Sequence, residues 1–205
     1  MGLEVFTIGH STHELADFLR LLHAWKITAI ADVRSAPVSA YSPHFNRDRL
    51  RDALRQAEIV YVFLGRELGG RPSNKSLYTD GIADYEKMAA AEEFEKGLRR
   101  VIEGAKDHRV ALMCSEHNPL DCHRCLLIGR VLAERSVHIQ NILGDGSVID
   151  QGGIERRLLE GAGRTSADLF ASRHEQVAMA YRERAKQVAY AENRTQSEKS
   201  DVAAE

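Results

Sequence analysis

The segment Val110-Ala-Leu-Met-Cys-Ser-Glu-His-Asn-Pro-Leu-Asp-Cys-His-Arg124 decides how this chain folds. Its first five residues are apolar and predict a buried β-strand, and the polar residues after them predict a turn. Asp121 is predicted to cap a helix that runs to about residue 134, with His123 and Arg124 in its first turn. Reactive side chains are therefore expected to meet where this strand ends.

Strand and helix patterns alternate along the first 150 residues. Strands are predicted at residues 3–8, 27–33, 59–64, 109–113 and 137–142, and amphipathic helices at 15–25, 47–57 and 84–105. Apolar strands separated by helices are typical of parallel sheets that are covered on both faces. We therefore predict an α/β fold with a mainly parallel sheet of about five strands and helices on both faces.

Local signals predict where several elements begin and end. Ser11 with Glu14 fits a capping box for the first helix, and Asn46 fits the N-cap of the second. The turn signal Gly144-Asp-Gly146 predicts the end of the sheet. Residues 65–81 are rich in Gly, Pro, Ser and Asn, which predicts either a mobile loop over a site or a plain surface loop.

The composition changes beyond Asp150, where Arg, Glu, Gln and Ala dominate. We predict an α/β domain over residues 1–150, a helical extension over 151–192 and a disordered tail over 193–205. The extension is expected to contain a short helix near 154–160 and a longer one from about 166 to 192. Its thin apolar stripe predicts packing on the parent domain or on a second subunit, so a homo-oligomer is possible; the stripe consists of Leu169, Phe170, Val177, Tyr181, Ala185 and Val188.

Charge and hydropathy exclude some classes of protein. A formal charge of −2 on 205 residues argues against a protein that coats nucleic acid, but it leaves specific anion binding open. No apolar run is long enough to span a membrane and no signal-peptide pattern is present, so we expect a cytoplasmic protein without membrane partners. In a reducing compartment, Cys114, Cys122 and Cys125 are expected to have thiol, metal or packing roles.

Polar side chains follow several predicted strands directly. Such strand ends converge in parallel sheets, and here they carry His10, Ser11, Asp32, Arg34, Cys114 and Glu116. His123 and Arg124 add positive charge at a helix N-terminus, which an acidic side chain or a bound anion should compensate. Arg34 and Arg71 favour the anion. The structural alternative is that Asp32 pairs with Arg34 or Arg124, Glu116 orients Arg124 and His10 fills space.

The cysteines allow three interpretations. The spacing of Cys114, Cys122 and Cys125 lacks the paired Cys-x2-Cys pattern of common zinc sites, so the sequence predicts no metal there. Cys114 lies near cationic groups that favour a thiolate nucleophile, but the distance to Arg124 is too long for a phosphatase loop. Cys125 is predicted to pack in the core, and the role of Cys122 stays open.

Five motifs resemble, in order, those of the domain of unknown function 488 family. They are Ile8-Gly-His-Ser11, Asp32-Val-Arg34, Pro37-x-Ser39 with Pro43-x-Phe45, Leu68-Gly-Gly-Arg71, and Met113-Cys-x-Glu116 with Cys122-His-Arg124. The resemblance covers about residues 3–142 and departs at Ala40, where members often have a basic residue. It implies a compact α/β domain but no established reaction, and it implies a common site of His10, Ser11, Asp32, Arg34, Arg71, Cys114, Glu116, Cys122, His123 and Arg124.

Three functions fit these residues. The first is an enzyme of hydrolytic or glycosyl-transfer type that acts on an anionic, nucleotide-like or phosphate-bearing substrate. Glu116 would react as acid/base or nucleophile, His10 or His123 would assist, and Ser11, Arg34 and Arg124 would hold the anion. The alternatives are a thiol-dependent enzyme that uses Cys114, and a non-catalytic sensor or adaptor for a nucleotide or a nucleic-acid component. The sequence identifies no cofactor.

Overall fold

A six-stranded sheet forms the centre of the protein. The computed structural model describes residues 2–164 and 171–192. The strands of the sheet are β1 (Glu4–Gly9), β2 (Ala29–Asp32), β3 (Val60–Phe63), β6 (Val110–Cys114), β7 (His138–Ile142) and β8 (Val148–Asp150), while β4 (Tyr78–Thr79) and β5 (Ile82–Ala83) form a separate hairpin. The order across the sheet is β3-β2-β6-β1-β7-β8.

Five of the six strands are parallel. β6 lies between β2 and β1, and β7 pairs with the other side of β1. β8 alone is antiparallel and pairs with β7. The predicted α/β fold with a mainly parallel sheet is confirmed, but the sheet does not end at Gly144–Gly146, because that turn leads into β8.

Helices cover both faces of the sheet. Their bounds are α1 (Leu15–Ala24), α2 (Arg47–Gln56), α3 (Gly65–Leu68), α4 (Tyr85–Ala89), α5 (Glu92–Asp107), a π-helix (Arg124–Gly129) continued by α6 (Arg130–Glu134), α7 (Gln151–Gly161) and α8 (Arg173–Val188). On one face α1 and α2 bury Phe18, Leu22, Leu50 and Leu54 against Phe6 and Ile8 of β1. On the other face α5, the π-helix, α7 and α8 pack against Val5 and Leu112.

The C-terminal helices belong to the second of these cores. Ile154 and Leu158 of α7 and Ala180 and Tyr181 of α8 are buried in it. The apolar stripe of α8 therefore packs on the parent domain, in the described part of the chain. Leu169 and Phe170 of the predicted stripe, and the predicted tail over 193–205, lie outside the described residues. Within the described residues, none of the helices is long and apolar enough to cross a membrane.

Three predicted side-chain caps are not formed, although α1 and α2 begin at the predicted residues. α1 begins after Glu14 without a side-chain cap, because Ser11 lies in a turn with φ of 47° and its N–H binds the Ser115 carbonyl. Asn46 precedes α2, but its side chain accepts the Ser39 N–H instead. Asp121 ends a short 3₁₀ turn, and His123 is the residue before the π-helix.

The helix predicted over 84–105 is two helices. Asp84 caps α4 by accepting the N–H groups of Glu86 and Lys87, and extended backbone at Ala91 separates α4 from α5. The acidic first turn of α5 favours a new N-terminus at this point. Residues 65–81 are more regular than predicted, since they contain α3, a 3₁₀ turn and β4.

Candidate active site

A cleft of about 350 Å³ opens at the carboxyl ends of β1, β2 and β6. This is the edge of a parallel sheet at which ligands are generally bound. The predicted site residues that line the cleft are His10, Arg34, Arg71, Cys114, Glu116 and His123. The other four, Ser11, Asp32, Cys122 and Arg124, lie outside its lining.

Asp32 and Arg34 form a buried ion pair in the cleft wall. The Arg34 Nε and Nη2 atoms donate to the two Asp32 carboxylate oxygens at 2.9 and 2.7 Å, and the Tyr61 hydroxyl donates to Asp32 at 2.7 Å. Arg34 Nη2 also donates to the Phe45 carbonyl. Most of the Arg34 donors are therefore used inside the protein.

His10 is held between Arg34 and Phe45. Its ring stacks on Phe45 with centroids 4.2 Å apart, Nδ1 lies 2.9 Å from the Ser11 carbonyl, and Nε2 lies 3.2 Å from Arg34 Nη1. Arg34 can only donate, so Nε2 accepts and Nδ1 carries the proton. Burial and the adjacent Arg34 charge lower the pKa of His10 to about 4. His10 is neutral at physiological pH and positions Arg34.

Four potential metal or proton ligands cluster at the cleft, three of them in its lining and Cys122 next to them. Cys114, Glu116, Cys122 and His123 each place one donor atom within 4.8 Å of the others. The Cys122 thiol donates to Glu116 Oε2 at 2.9 Å, and His123 Nδ1 lies 3.8 Å from both the Cys114 and the Cys122 sulfur. β6 supplies Cys114, the following turn supplies Glu116, and the two residues directly before the π-helix are Cys122 and His123.

Burial and close contact shift the pKa values of these groups in different directions. Burial raises the pKa of the Cys114 thiol well above its usual value. Burial also opposes ionisation of Cys122, but the Cys114 thiol and the Arg124 charge outweigh it and lower the Cys122 pKa to about 6. For Glu116, the charge of His123 and hydrogen bonds from the thiols outweigh burial and lower the pKa to about 2. Cys114 therefore keeps its proton, whereas Glu116 is ionised at neutral pH.

Arg124 supports the site from behind. Its side chain is fully buried, and its guanidinium donates to the carbonyls of Glu116 and His117 at 2.7 and 3.2 Å. It fixes the turn that carries Glu116 and does not face the cleft. An acidic side chain or a bound anion was predicted to balance the positive charge of Arg124. The guanidinium instead binds two backbone carbonyls.

Two glycines allow the backbone to approach the site closely. A Cβ atom on Gly9 would lie 1.8 Å from the Glu116 carbonyl oxygen, and one on Gly70 would lie 2.9 Å from the His123 ring. Only glycine fits at Gly9 unless the end of β1 and the turn after β6 move apart. At Gly70, a side chain would push the His123 ring out of place.

The C-terminal extension completes the cleft. Val188 and Tyr190 line it, the Arg71 guanidinium lies 4.8 Å from the Tyr190 ring centre, and Arg184 binds the Leu120 carbonyl and the Asp121 carboxylate. Sequence reasoning missed Tyr190, Tyr85 and Ser35 as lining residues. Tyr85 falls inside the helix predicted over 84–105, and no local signal places Tyr190 beside a site more than 60 residues earlier in the chain.

Comparisons with known proteins give one result. Searches of the curated proteins and of the solved structures found no match. The family model described as domain of unknown function DUF488 matches residues 14–131, which is more than half of the chain and includes the motifs from Asp32 to Arg124. The chain belongs to the DUF488 family, the domain of unknown function that its motifs resemble.

Proposed function

We propose that this protein is an enzyme that acts on a small anionic substrate of nucleotide-like or phosphate-bearing type, by hydrolysis or glycosyl transfer. The observation that carries the proposal is one cleft in which an ionised carboxylate, Glu116, faces the same space as a guanidinium, Arg71. Its volume lies in the range of small-molecule sites, roughly 300–1,000 Å³. The thiol groups Cys114, Cys122 and Cys125 suit a reducing compartment, so we place the enzyme in the cytoplasm.

Arg71 is the side chain best placed to bind the anion. It makes no salt bridge to any residue in the part of the chain that the structure describes, and it is exposed at the rim of the cleft. Arg34 is neutralised by Asp32, and Arg124 is buried behind the turn. We therefore assign the anion contact to Arg71 in place of Arg34 and Arg124. The Arg71 guanidinium lies over the Tyr190 ring.

Glu116 is the proposed reacting group. A carboxylate with a low pKa is suited to act as nucleophile or to bind a developing positive charge, and it is poorly suited to act as general acid. His10 holds Arg34, and His123 lies on the floor of the cleft against the thiols. Cys114 keeps its proton, which favours the carboxylate over this thiol as nucleophile.

The test begins with a thermal-shift screen of nucleotides, nucleosides and sugar phosphates, because a ligand that binds the folded protein stabilises it and raises its unfolding temperature. Compounds that bind are then incubated with the protein and analysed for products. Glu116→Gln should lower kcat by at least about a hundredfold. Arg71→Ala should raise KM about tenfold to a hundredfold, the equivalent of the ~1.5–3 kcal/mol of a charge-assisted hydrogen bond.

Exposed residues outside the cleft serve as controls. Glu103→Gln on α5 and Arg49→Ala on α2 should leave kcat and KM unchanged. A ligand that binds tightly but is never converted would overturn the enzyme proposal in favour of the sensor. Full turnover by Glu116→Gln would remove the role of that residue.

A further inference from the structure

We propose that Cys114, Glu116, Cys122 and His123 bind a divalent metal ion that prefers sulfur ligands, namely zinc. Two thiolates, one imidazole and one carboxylate form a donor set that zinc favours. The spacing along the chain does not predict this site, because β6, the turn and the π-helix bring the four donors together only in the fold. The inference goes beyond the proposed function, since metal binding requires no substrate.

The distances between donor atoms are close to those of a tetrahedral zinc site. Bonds of about 2.3 Å to sulfur and 2.0–2.1 Å to nitrogen give a sulfur-to-nitrogen distance of about 3.6 Å at a tetrahedral angle. His123 Nδ1 lies 3.8 Å from each sulfur. Glu116 Oε2 and Cys122 Sγ, at 2.9 Å, have to separate by less than about 1 Å.

The hydrogen bonds around the cluster prepare the ligands for a metal ion. His123 Nε2 donates to the Val33 carbonyl at 3.0 Å, which leaves the lone pair of Nδ1 directed toward the two sulfurs. Metal-binding histidines usually have such a partner on the second ring nitrogen. The Arg124 backbone N–H lies 3.4 Å from Cys122 Sγ and donates to it, as N–H groups commonly do to metal-bound thiolates. Gly70 also approaches the His123 ring closely, since a Cβ atom at this position would lie 2.9 Å from the ring.

The charges also balance. Both cysteines bind as thiolates and His123 binds as a neutral imidazole, so any protons that these three groups carry pass to the solvent on binding. Two thiolates and a carboxylate exceed the charge of a divalent ion by one negative charge, and the buried Arg124 guanidinium supplies one positive charge next to the turn. An uncompensated charge would be costly at this depth.

The burial of the four ligands indicates which one can exchange. Cys114, Cys122 and His123 are buried, whereas Glu116 is partly exposed toward the cleft. Three buried ligands with one replaceable position are typical of a catalytic zinc site rather than a closed structural one. Glu116 is therefore the ligand that a water molecule or a substrate would displace, and displacement leaves its carboxylate free beside the substrate.

The test measures metal content and coordination without any substrate. The full chain, purified under reducing conditions, is stripped with a chelator and then titrated with zinc or with cobalt. We expect one zinc ion per chain by elemental analysis. Cobalt should produce a thiolate-to-metal charge-transfer band and the intense visible bands of tetrahedral coordination.

The variants assign the ligands. Cys114→Ser and Cys122→Ser should each weaken the charge-transfer band and lower the metal affinity by at least about a hundredfold, and Glu116→Gln should lower the affinity about tenfold to a hundredfold while keeping the band. Cys125→Ser is the matched control, because Cys125 is a buried thiol of the same segment outside the cluster. It should bind cobalt as the unchanged protein does.

Failure would be clear in the unchanged protein itself. A folded chain, verified by circular dichroism, that takes up no stoichiometric zinc or cobalt overturns the proposal, whatever the variants do. So does loss of the band in Cys125→Ser together with its full retention in Cys114→Ser and Cys122→Ser. The proposed enzyme activity can fail while metal binding stands, because the titration involves no substrate.

Discussion

Asp32 supplies the negative charge opposite Arg34, which is buried in the wall of the cleft. The carboxylate is fully buried and accepts hydrogen bonds from Arg34 and Tyr61. In an Asp32→Asn variant the guanidinium stays buried without a counter-charge. We expect the free energy of unfolding, measured with urea, to fall by about 3–5 kcal/mol.

A surface pair provides the comparison for this prediction. Asp48 contacts Arg51 at 3.1 Å on the exposed side of α2. Exposed pairs contribute roughly 0–1 kcal/mol, so Asp48→Asn should change the free energy of unfolding by less than about 1 kcal/mol. Equal losses of unfolding free energy in Asp32→Asn and Asp48→Asn would contradict the prediction that the buried Asp32 charge contributes more to stability than the exposed Asp48 charge.

His10 makes stability depend on pH in the acidic range. Its pKa is about 4 in the folded protein against 6.5 for the free side chain, so the unfolded chain binds the proton more tightly. The contribution of His10 to the free energy of unfolding is fully present above pH 6.5 and is lost as the pH falls toward 4. The loss between pH 7 and pH 4 should be about 3 kcal/mol.

Urea unfolding of a variant isolates this contribution. His10→Asn cannot take up the proton, so the difference in stability between it and the unchanged protein should shrink by about 3 kcal/mol from pH 7 to pH 4. His23→Asn on the exposed face of α1 should follow the pH dependence of the unchanged protein. A constant difference between His10→Asn and the unchanged protein would contradict the prediction.

At the level of elements, β6 and the segment after it show what the sequence can predict. The run 110–114 and the helix after it are both rich in apolar residues, so both were predicted near their observed positions. The observed start of the helix was not predicted. Hydrogen bonds from Arg124 to the turn set this start, and no side-chain cap at Asp121 does so. Long-range contacts of this kind leave no local pattern.

The same reasoning explains the other differences. β8 has three residues, two half-exposed and one exposed, which are too few for a strand pattern, although Gly144–Gly146 is also a hairpin signal. The sequence indicates ten candidate site residues, and six of them line the cleft. It could not show which arginine faces solvent, because Arg34, Arg71 and Arg124 differ in burial and not in type.

The contact between β1 and the turn after β6 gives a prediction at this scale. Gly9→Ala would place a Cβ atom 1.8 Å from the Glu116 carbonyl oxygen, so backbone has to shift. We expect the free energy of unfolding to fall by about 1–3 kcal/mol or more, as in overpacked cores. Gly161→Ala at the end of α7 has open space around it and should be neutral or slightly stabilising. Equal effects of the two changes, measured by urea unfolding, would contradict the proposed close approach.

For the whole molecule, the cleft depends on two distant parts of the chain. Its floor comes from the region matched by the family model, and part of its wall comes from Val188 and Tyr190, which lie beyond that region. The extension therefore does more than cover the core. The apolar stripe of α8 packs on the parent domain, which is one of its two predicted partners. Association of two copies through these helices stays a prediction, and analytical ultracentrifugation of the full chain would test it.

Arg184 is the side chain that joins α8 to the turn bearing the site. It donates to the Leu120 carbonyl at 3.1 Å and to the Asp121 carboxylate, between the residues that supply Glu116 and Cys122. Loss of these bonds in Arg184→Ala should destabilise the protein by about 1–3 kcal/mol and raise amide hydrogen exchange over residues 115–122. Arg182→Ala, two residues earlier and exposed, should leave exchange there unchanged. If Arg184→Ala exchanges as slowly as the unchanged protein over 115–122, then α8 does not hold the turn, and packing by Tyr181 and Ala180 alone places the extension against the domain.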